Sequence, residues 1–155
     1  MASMTDERHA VPVYFACISR GKLFYNERKY KDAIDMFTHA IRIDPTDATA
    51  YLWRGASFNL LQIHHQAILD FNRSIHINPM CSSSFHWRGD SYRALNHYDK
   101  TFESMTESAR LDPSDAVSLN CAGQALARLN RFSEAVEMYN LSIRVEPHAY
   151  AYNNR

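Results

Sequence analysis

The chain is short of several things, and each shortage removes a class of function. Cysteine is represented three times, at Cys17, Cys81 and Cys121, an odd number at wide spacing. That excludes a disulfide framework and implies reduced thiols with a structural role in an intracellular, cytoplasmic setting. Net charge is absent altogether: 17 Lys and Arg offset 17 Asp and Glu among 155 residues. Without a basic surplus there is no long-range electrostatic case for nucleic acid or an anionic membrane as partner. No run of 18 apolar residues occurs, and the opening MASMTDERHA lacks the apolar segment of a secretory signal. Histidine is not scarce, at eight, but no HExxH, no CxxC and no histidine pair at helical i, i+4 spacing exists. The adjacent His64 and His65 would point about 100° apart on a helix, poor geometry for a metal ligand pair. Phosphate loops of the GxGxxG or GxxxxGK kind are missing, and neither Cys17 nor Cys121 stands beside an organised base. The expectation is no enzyme, no cofactor and no metal.

The scarce residues that are present are placed with a fixed step. All four glycines, Gly21, Gly55, Gly89 and Gly123, lie 34 residues apart, and Pro45, Pro79, Pro113 and Pro147 keep the same interval. With Tyr14 as position 1 of the first unit, position 4 holds Cys17, Tyr51, Phe85 and Leu119, and position 11 holds Phe24, Phe58, Tyr92 and Leu126. Position 17 holds Tyr30, His64, Tyr98 and Phe132. Position 20 holds Ala33, Ala67, Thr101 and Ala135, position 24 holds Phe37, Phe71, Met105 and Tyr139, and position 27 holds Ala40, Ser74, Ser108 and Ser142. A period of this length in four copies is the mark of a repeat array. Positions 4, 8 and 11 share one side of a helix, where glycine at position 8 admits a second backbone closely. The small residue at position 20 does the same from a partner helix, the ring at position 24 fills the adjoining space, and proline ends that helix. The spacing predicts helices near 14–27, 30–43, 48–61, 64–77, 82–95, 98–111, 116–129 and 132–145.

These columns resemble the tetratricopeptide repeat (TPR) family over 136 of the 155 residues. The resemblance implies an all-α fold, a right-handed superhelical α-solenoid of antiparallel helix pairs whose first helices line a concave groove. The repeats would span 14–47, 48–81, 82–115 and 116–149. Position 7, usually leucine in the family, is instead Arg20, Arg54, Arg88 and Ala122. The arginine stems are expected along apolar surface, with their guanidinium groups meeting acidic residues of neighbouring repeats. The third repeat departs most, with Thr101, Met105 and Ser108 at packing columns, so its second helix is expected to be present but the least stable.

Both tryptophans, Trp53 and Trp87, occupy position 6 of their repeats, within the parallel phrases YLWRGASF and FHWRGDSY. Angular arithmetic puts that position about 160° from the core columns of its own helix. Positions 2, 5, 6, 9, 12 and 13 share that face. Repeat by repeat it reads Phe15, Ile18, Ser19, Lys22, Tyr25, Asn26; then Thr49, Leu52, Trp53, Ala56, Asn59, Leu60; then Ser83, His86, Trp87, Asp90, Arg93, Ala94; then Val117, Asn120, Cys121, Gln124, Ala127, Arg128. By the resemblance this face is the inner wall of the groove. Indoles on neighbouring helices would stand about 8–10 Å apart. Apolar anchors surrounded by amides and cations suit an extended peptide, which makes Trp53, Trp87, Lys22, Tyr25, Asn59, His86, Arg93, Asn120 and Gln124 the candidate peptide-binding residues. The competing reading has both indoles packing on adjacent helices and only stiffening the array.

The two-carboxylate clamp by which some family members hold acidic chaperone tails is not expected. Its slots hold Ile18, Lys22, Trp53, Ser83 and Trp87, or one repeat later Leu52, Ala56, Trp87, Val117 and Cys121, neither set a pair of cations. Residues 1–13, with Pro12, read as a frayed leader. Residues 150–155, within HAYAYNNR, read as the start of a truncated fifth repeat, so the chain is expected to be a piece of a longer array. Two functions follow. One is a protein-interaction scaffold holding a partner's peptide segment in the groove. The other is a structural array that assembles or self-associates end to end through its ends and convex face.

Overall fold

The computed structural model describes residues 4–146, with side chains from residue 11. The described residues form eight helices and no strand: α1 (Met4–Asn26), α2 (Tyr30–Ile43), α3 (Ala48–Leu60), α4 (His64–Ile77), α5 (Ser82–Ala94), α6 (Tyr98–Leu111), α7 (Ala116–Arg128) and α8 (Phe132–Val145). This is an all-α, TPR-like helical-repeat fold. Contacts divide it into two units, Met1–Asn78 and Pro79–Arg155, each holding two helix hairpins. The reading of 150–155 as a fifth repeat lies outside the described residues.

Each hairpin is closed by the close approach that the glycine column anticipates. A Cβ at Gly55 would lie 2.7 Å from the Phe71 ring, and at Gly21 2.6 Å from Phe37. In the second unit a Cβ at Gly123 would lie 2.5 Å from Tyr139, whereas at Gly89 the neighbour is the flexible thioether of Met105 at 3.0 Å. With every glycine committed to helix contact, the turns between paired helices use other residues. Arg28, Gln62, Asn96 and Asn130 all adopt φ near +60°. Around Gln62 the bonds Gln62 N–H to Asn59 C=O and Ile63 N–H to Phe58 C=O close a Schellman turn, and the other three turns repeat it.

The small column at position 27 also forms hydrogen bonds. Ser74, Ser108 and Ser142 donate to the first carbonyl of the partner helix, at Ala48 (3.0 Å), Ser82 (3.1 Å) and Ala116 (2.8 Å). These bonds tie the end of one helix to the start of its partner, so the pairs run antiparallel. In α6, Thr101 is fully buried and donates to the His97 carbonyl, which satisfies the hydroxyl that replaces alanine there.

Two expectations need correction. The first helix begins at Met4, not near residue 14, and Pro12 lies inside it. Residues 4–13 therefore continue α1. Pro12 and its neighbours Val11 and Val13 are exposed, so the carbonyl that its missing N–H leaves unbonded can be hydrated. The arginine column also behaves differently. Arg54 makes a two-pronged ion pair with Asp70 of its own repeat (2.8 and 2.7 Å), not of a neighbouring one, and reaches Thr38 Oγ1 at 3.2 Å. Position 7 of the first helix faces position 23 of the second, so the partner is intra-repeat. Arg88 accordingly donates to Ser104 at 3.1 Å. The guanidiniums themselves lie over rings: those of Arg20, Arg54 and Arg88 sit 5.2 to 5.7 Å from the centroids of Phe24, Tyr51 and Phe85. Burial pushes the Asp70 carboxyl above its ordinary value, against the pull of Arg54.

Candidate functional site

In the first unit, the face of position 6 is a filled aromatic cluster. Trp53 is half-buried, packed edge-on against Tyr25 (5.1 Å between ring centres) and stacked on Phe37 (6.4 Å). The ammonium of Lys22 lies 5.2 Å from the indole centre, within cation–π range. Beneath lie the buried Ile18, Ala33, Phe37, Ala40 and Ala50. Burial, then the charge of neighbouring Tyr30, holds the Tyr25 hydroxyl above its ordinary pKa. Lys22, Tyr25 and Trp53 are thus brought together as expected of one surface, with much of the indole spent on packing. The start of α3 is fixed by Asp47, whose carboxylate caps Thr49 N–H at 2.8 Å and accepts from the Tyr14 hydroxyl.

In the second unit the corresponding positions carry polar chemistry. Position 6 of the fourth repeat is Cys121, and burial pushes its thiol up; Arg93 pulls the other way, while Asp90 and Asp115 add to the rise. A thiol held protonated is a packing group rather than a nucleophile. Arg93 and Asp90 form an ion pair one helical turn apart on α5. At the start of the face, Asp115 caps α7 by accepting from Ser118 N–H at 2.9 Å and from the Ser118 hydroxyl. His86 Nδ1 lies 2.8 Å from Ser118 Oγ and 3.5 Å from Asp115 Oδ2. Burial opposes ionisation of Asp115, but the bonds from His86 and Ser118 prevail and hold its carboxyl well below the ordinary carboxylate range. Serine, histidine and aspartate meet here without forming a nucleophilic relay. A relay needs serine and aspartate on opposite ring nitrogens, and both lie against Nδ1. The group clamps the start of α7 to α5.

Two cavities open on this unit's face. One of about 300 Å³ lies where α5 and α7 begin, lined by Ser82, Ser83, His86, Trp87, Ser108, Asp112, Asp115 and Val117. The other, of about 200 Å³, lies where those helices end, lined by Arg93, Asn96, Tyr98, Gln124, Ala125 and Arg128. Trp87 is half-buried and meets the His86 ring edge-on at 6.2 Å. Four of the nine candidates therefore line open space: His86 and Trp87 in the first cavity, Arg93 and Gln124 in the second. Asn59 and Asn120, at 6% and 5% exposure, are buried instead, with Asn59 Oδ1 2.7 Å from His64 Nδ1.

The candidate set omits Asp115, Ser118, Asn96, Tyr98 and Arg128. An aspartate just before a helical stretch is a capping signal visible in the sequence at Asp47 and Asp115. Arg128 belongs to the face by spacing. Asn96 and Tyr98 reach the cavity through the turn between α5 and α6, which helical periodicity does not describe. Among the described residues, no three His, Cys, Asp or Glu side chains gather as a metal site needs, and no helix is long and apolar enough to cross a membrane.

Two tetratricopeptide repeat models match the chain, at residues 18–79 and 118–148, together more than half of its length. Residues 80–117, between the two matches, contain the whole of the third and most divergent repeat. No curated protein sequence matches significantly. Among solved structures, MamA is similar at 21% identity, covering 90% of this chain and 76% of its own, with a TM-score of 0.83. YrrB, a TPR protein with an unusual peptide-binding site, is similar at 21% identity over 90% of this chain and 73% of its own, TM-score 0.80. The first TPR of Spaghetti (RPAP3), bound to an HSP90 peptide, is similar at 20% identity over 76% of this chain and 93% of its own, TM-score 0.74. With the 34-residue period, the paired helices and these matches agreeing, the chain belongs to the tetratricopeptide repeat family.

Proposed function

We propose that the protein is an interaction scaffold that binds an extended segment of a partner protein along its first-helix face, with α5 and α7 as the principal site. The observation that carries this reading is the pair of cavities at opposite ends of those helices, which expose Trp87 and His86 at one end and Arg93 and Gln124 at the other. From Ser83 to Arg93 the helix rises about 15 Å. An extended peptide covers that with four or five residues. Trp87 supplies an apolar anchor, and the polar groups at either end fix register. Asn59 and Asn120 act in this reading as supports of the face, and Lys22, Tyr25 and Trp53 as a second, more rigid contact area. Peptide recognition by proteins of the same fold, YrrB and the first TPR of Spaghetti, is consistent with it.

The test is a peptide array probed with purified protein. Wild type binds a subset of extended peptides, and Trp87→Ala loses about tenfold or more while retaining its helical signal and melting behaviour, in keeping with an aromatic anchor. Unchanged binding by a folded Trp87→Ala protein refutes the site.

A second reading has its own observation. On α8, Phe132, Val136, Leu141 and Val145 are 37 to 62% exposed. Phe132 and Val136, one turn apart on one side of the helix, suit assembly with another protein or a second copy, whereas Leu141 and Val145 face the opposite side. Concentration-dependent light scattering that Phe132→Lys and Val136→Lys abolish, without dependence on Trp87, favours this alternative.

A further inference from the structure

The cavity at the ends of α5 and α7 has a chemistry of its own. Arg93 and Arg128, each in the last turn of its helix, contribute to one space together with Gln124, Asn96 and Tyr98. A cation in a last turn complements the helix dipole, and that alone explains either arginine singly. It does not explain why arginines of two different helices line one cavity. Asp90 pairs with Arg93, and Arg128 enters no ion pair among the described residues. Elsewhere in this unit the exposed Arg110 and Arg131 are each paired with a glutamate three residues away, Glu107 and Glu134, while the exposed Arg144 enters no ion pair among the described residues. The cavity keeps one uncompensated positive charge. Its other groups point the same way: Asn96 Oδ1 already accepts from the Tyr98 hydroxyl at 2.6 Å, which leaves the amide with N–H donors to offer. Gln124 adds a further amide. One net positive charge surrounded by donors fits one carboxylate.

We propose that this cavity is a subsite for an acidic side chain, Asp or Glu, of the bound segment, and that it sets the register of the segment against the Trp87 anchor. The proposal rests on the peptide-binding reading above. Arg128 supplies the charge-assisted hydrogen bond. Arg93 is shared between Asp90 and the ligand, and Gln124 orients the carboxylate. The recognised segment carries an apolar residue at the Trp87 end and an acidic residue about three or four positions away, from the roughly 9–15 Å of helix between the two cavities.

The experiment uses arrays of extended nonapeptides in matched sets that differ only by Glu, Gln or phosphoserine at one position, probed with the whole chain. Wild type favours Glu over Gln by about fivefold at low salt, the scale of a solvent-exposed ion pair. The preference fades at high ionic strength. Arg128→Gln abolishes it while still binding the neutral peptides through Trp87, and Asp90→Asn, which releases Arg93, enlarges it. Equal binding of Glu and Gln peptides by wild type overturns the subsite and leaves the peptide-binding reading standing. A Glu preference that survives Arg128→Gln overturns it as well, as does a preference confined to phosphoserine. If wild type binds no peptide at all, both readings fall together.

Discussion

The junction of α1 and α2 with α3 and the junction of α5 and α6 with α7 are built at the same positions of the repeat and solve the same problem with different chemistry. In the first unit, positions 9, 12 and 24 of one repeat and 6 of the next are Lys22, Tyr25, Phe37 and Trp53, and the rings pack on one another. In the second unit they are Asp90, Arg93, Met105 and Cys121, an ion pair beside a half-buried thiol. The caps differ in the same sense: Asp47 takes the Tyr14 hydroxyl, and Asp115 takes Ser118 and His86. Large rings fill the first junction. The smaller and charged side chains of the second accompany the two cavities. The backbone arrangement tolerates both because the close contacts within each hairpin are set at positions 8, 20 and 24, of which only position 24 also borders the junction. Position 6 and its neighbours are thereby released to be either packing or recognition surface.

Five substitutions, in three tests, probe how deep that contrast goes. The largest effect is expected at Trp53. Trp53→Ala removes a ring stacked on Phe37 and edge-on to Tyr25 and costs about 3 kcal/mol, at the low end for a tryptophan deletion because the indole is only half-buried. Cys121→Ala at the equivalent place costs about 1 kcal/mol. Denaturant melts of the two variants read the difference, and equal losses would erase the distinction drawn between the junctions.

The next effect lies inside the hairpins. Gly55→Ala forces a methyl to 2.7 Å from the Phe71 ring and destabilises by about 2 kcal/mol, strain exceeding the gain in helix propensity. Gly89→Ala meets only the Met105 thioether at 3.0 Å, which can rotate aside, so its cost is near zero. Thermal melts of the pair test whether the third repeat is more yielding at its core than the second.

The smallest effect concerns pH. Asp115 titrates below its ordinary 3.8 when folded, so its contribution is fully present above that value. It is lost as pH falls through the ordinary value towards the depressed one. Asp115→Asn removes this contribution, about 1 kcal/mol at pH 7, and flattens the dependence of stability below about pH 4. An acid limb as steep in the variant as in wild type would remove Asp115 as the source.

Much of this was legible in the chain because it is local and periodic. Seven of the eight helices begin where the 34-residue pattern places them, since proline, the close-approach glycines and the small column act within a few residues of where they stand. The start of α1 was not, because a single proline on an exposed helix surface does not oblige the helix to stop. Pairing of the arginine column within a repeat is not legible, because spacing along the chain does not say which helix lies opposite position 7. Spacing also placed Trp53 and Trp87 on one kind of face without distinguishing a ring packed on Phe37 from a ring lining a cavity.

Period, the helix limits other than the start of α1, and the family were thus determined by the sequence itself, through residues whose steric demands are met by their own hairpin. The tertiary structure decided which polar side chains are spent on one another and which are left facing open space. Arg54 finds Asp70, His86 finds Ser118 and Asp115, and Arg93 and Arg128 converge on one cavity. Such pairings depend on side chains brought together from different helices, at distances of a few ångströms that no pattern along a single helix encodes.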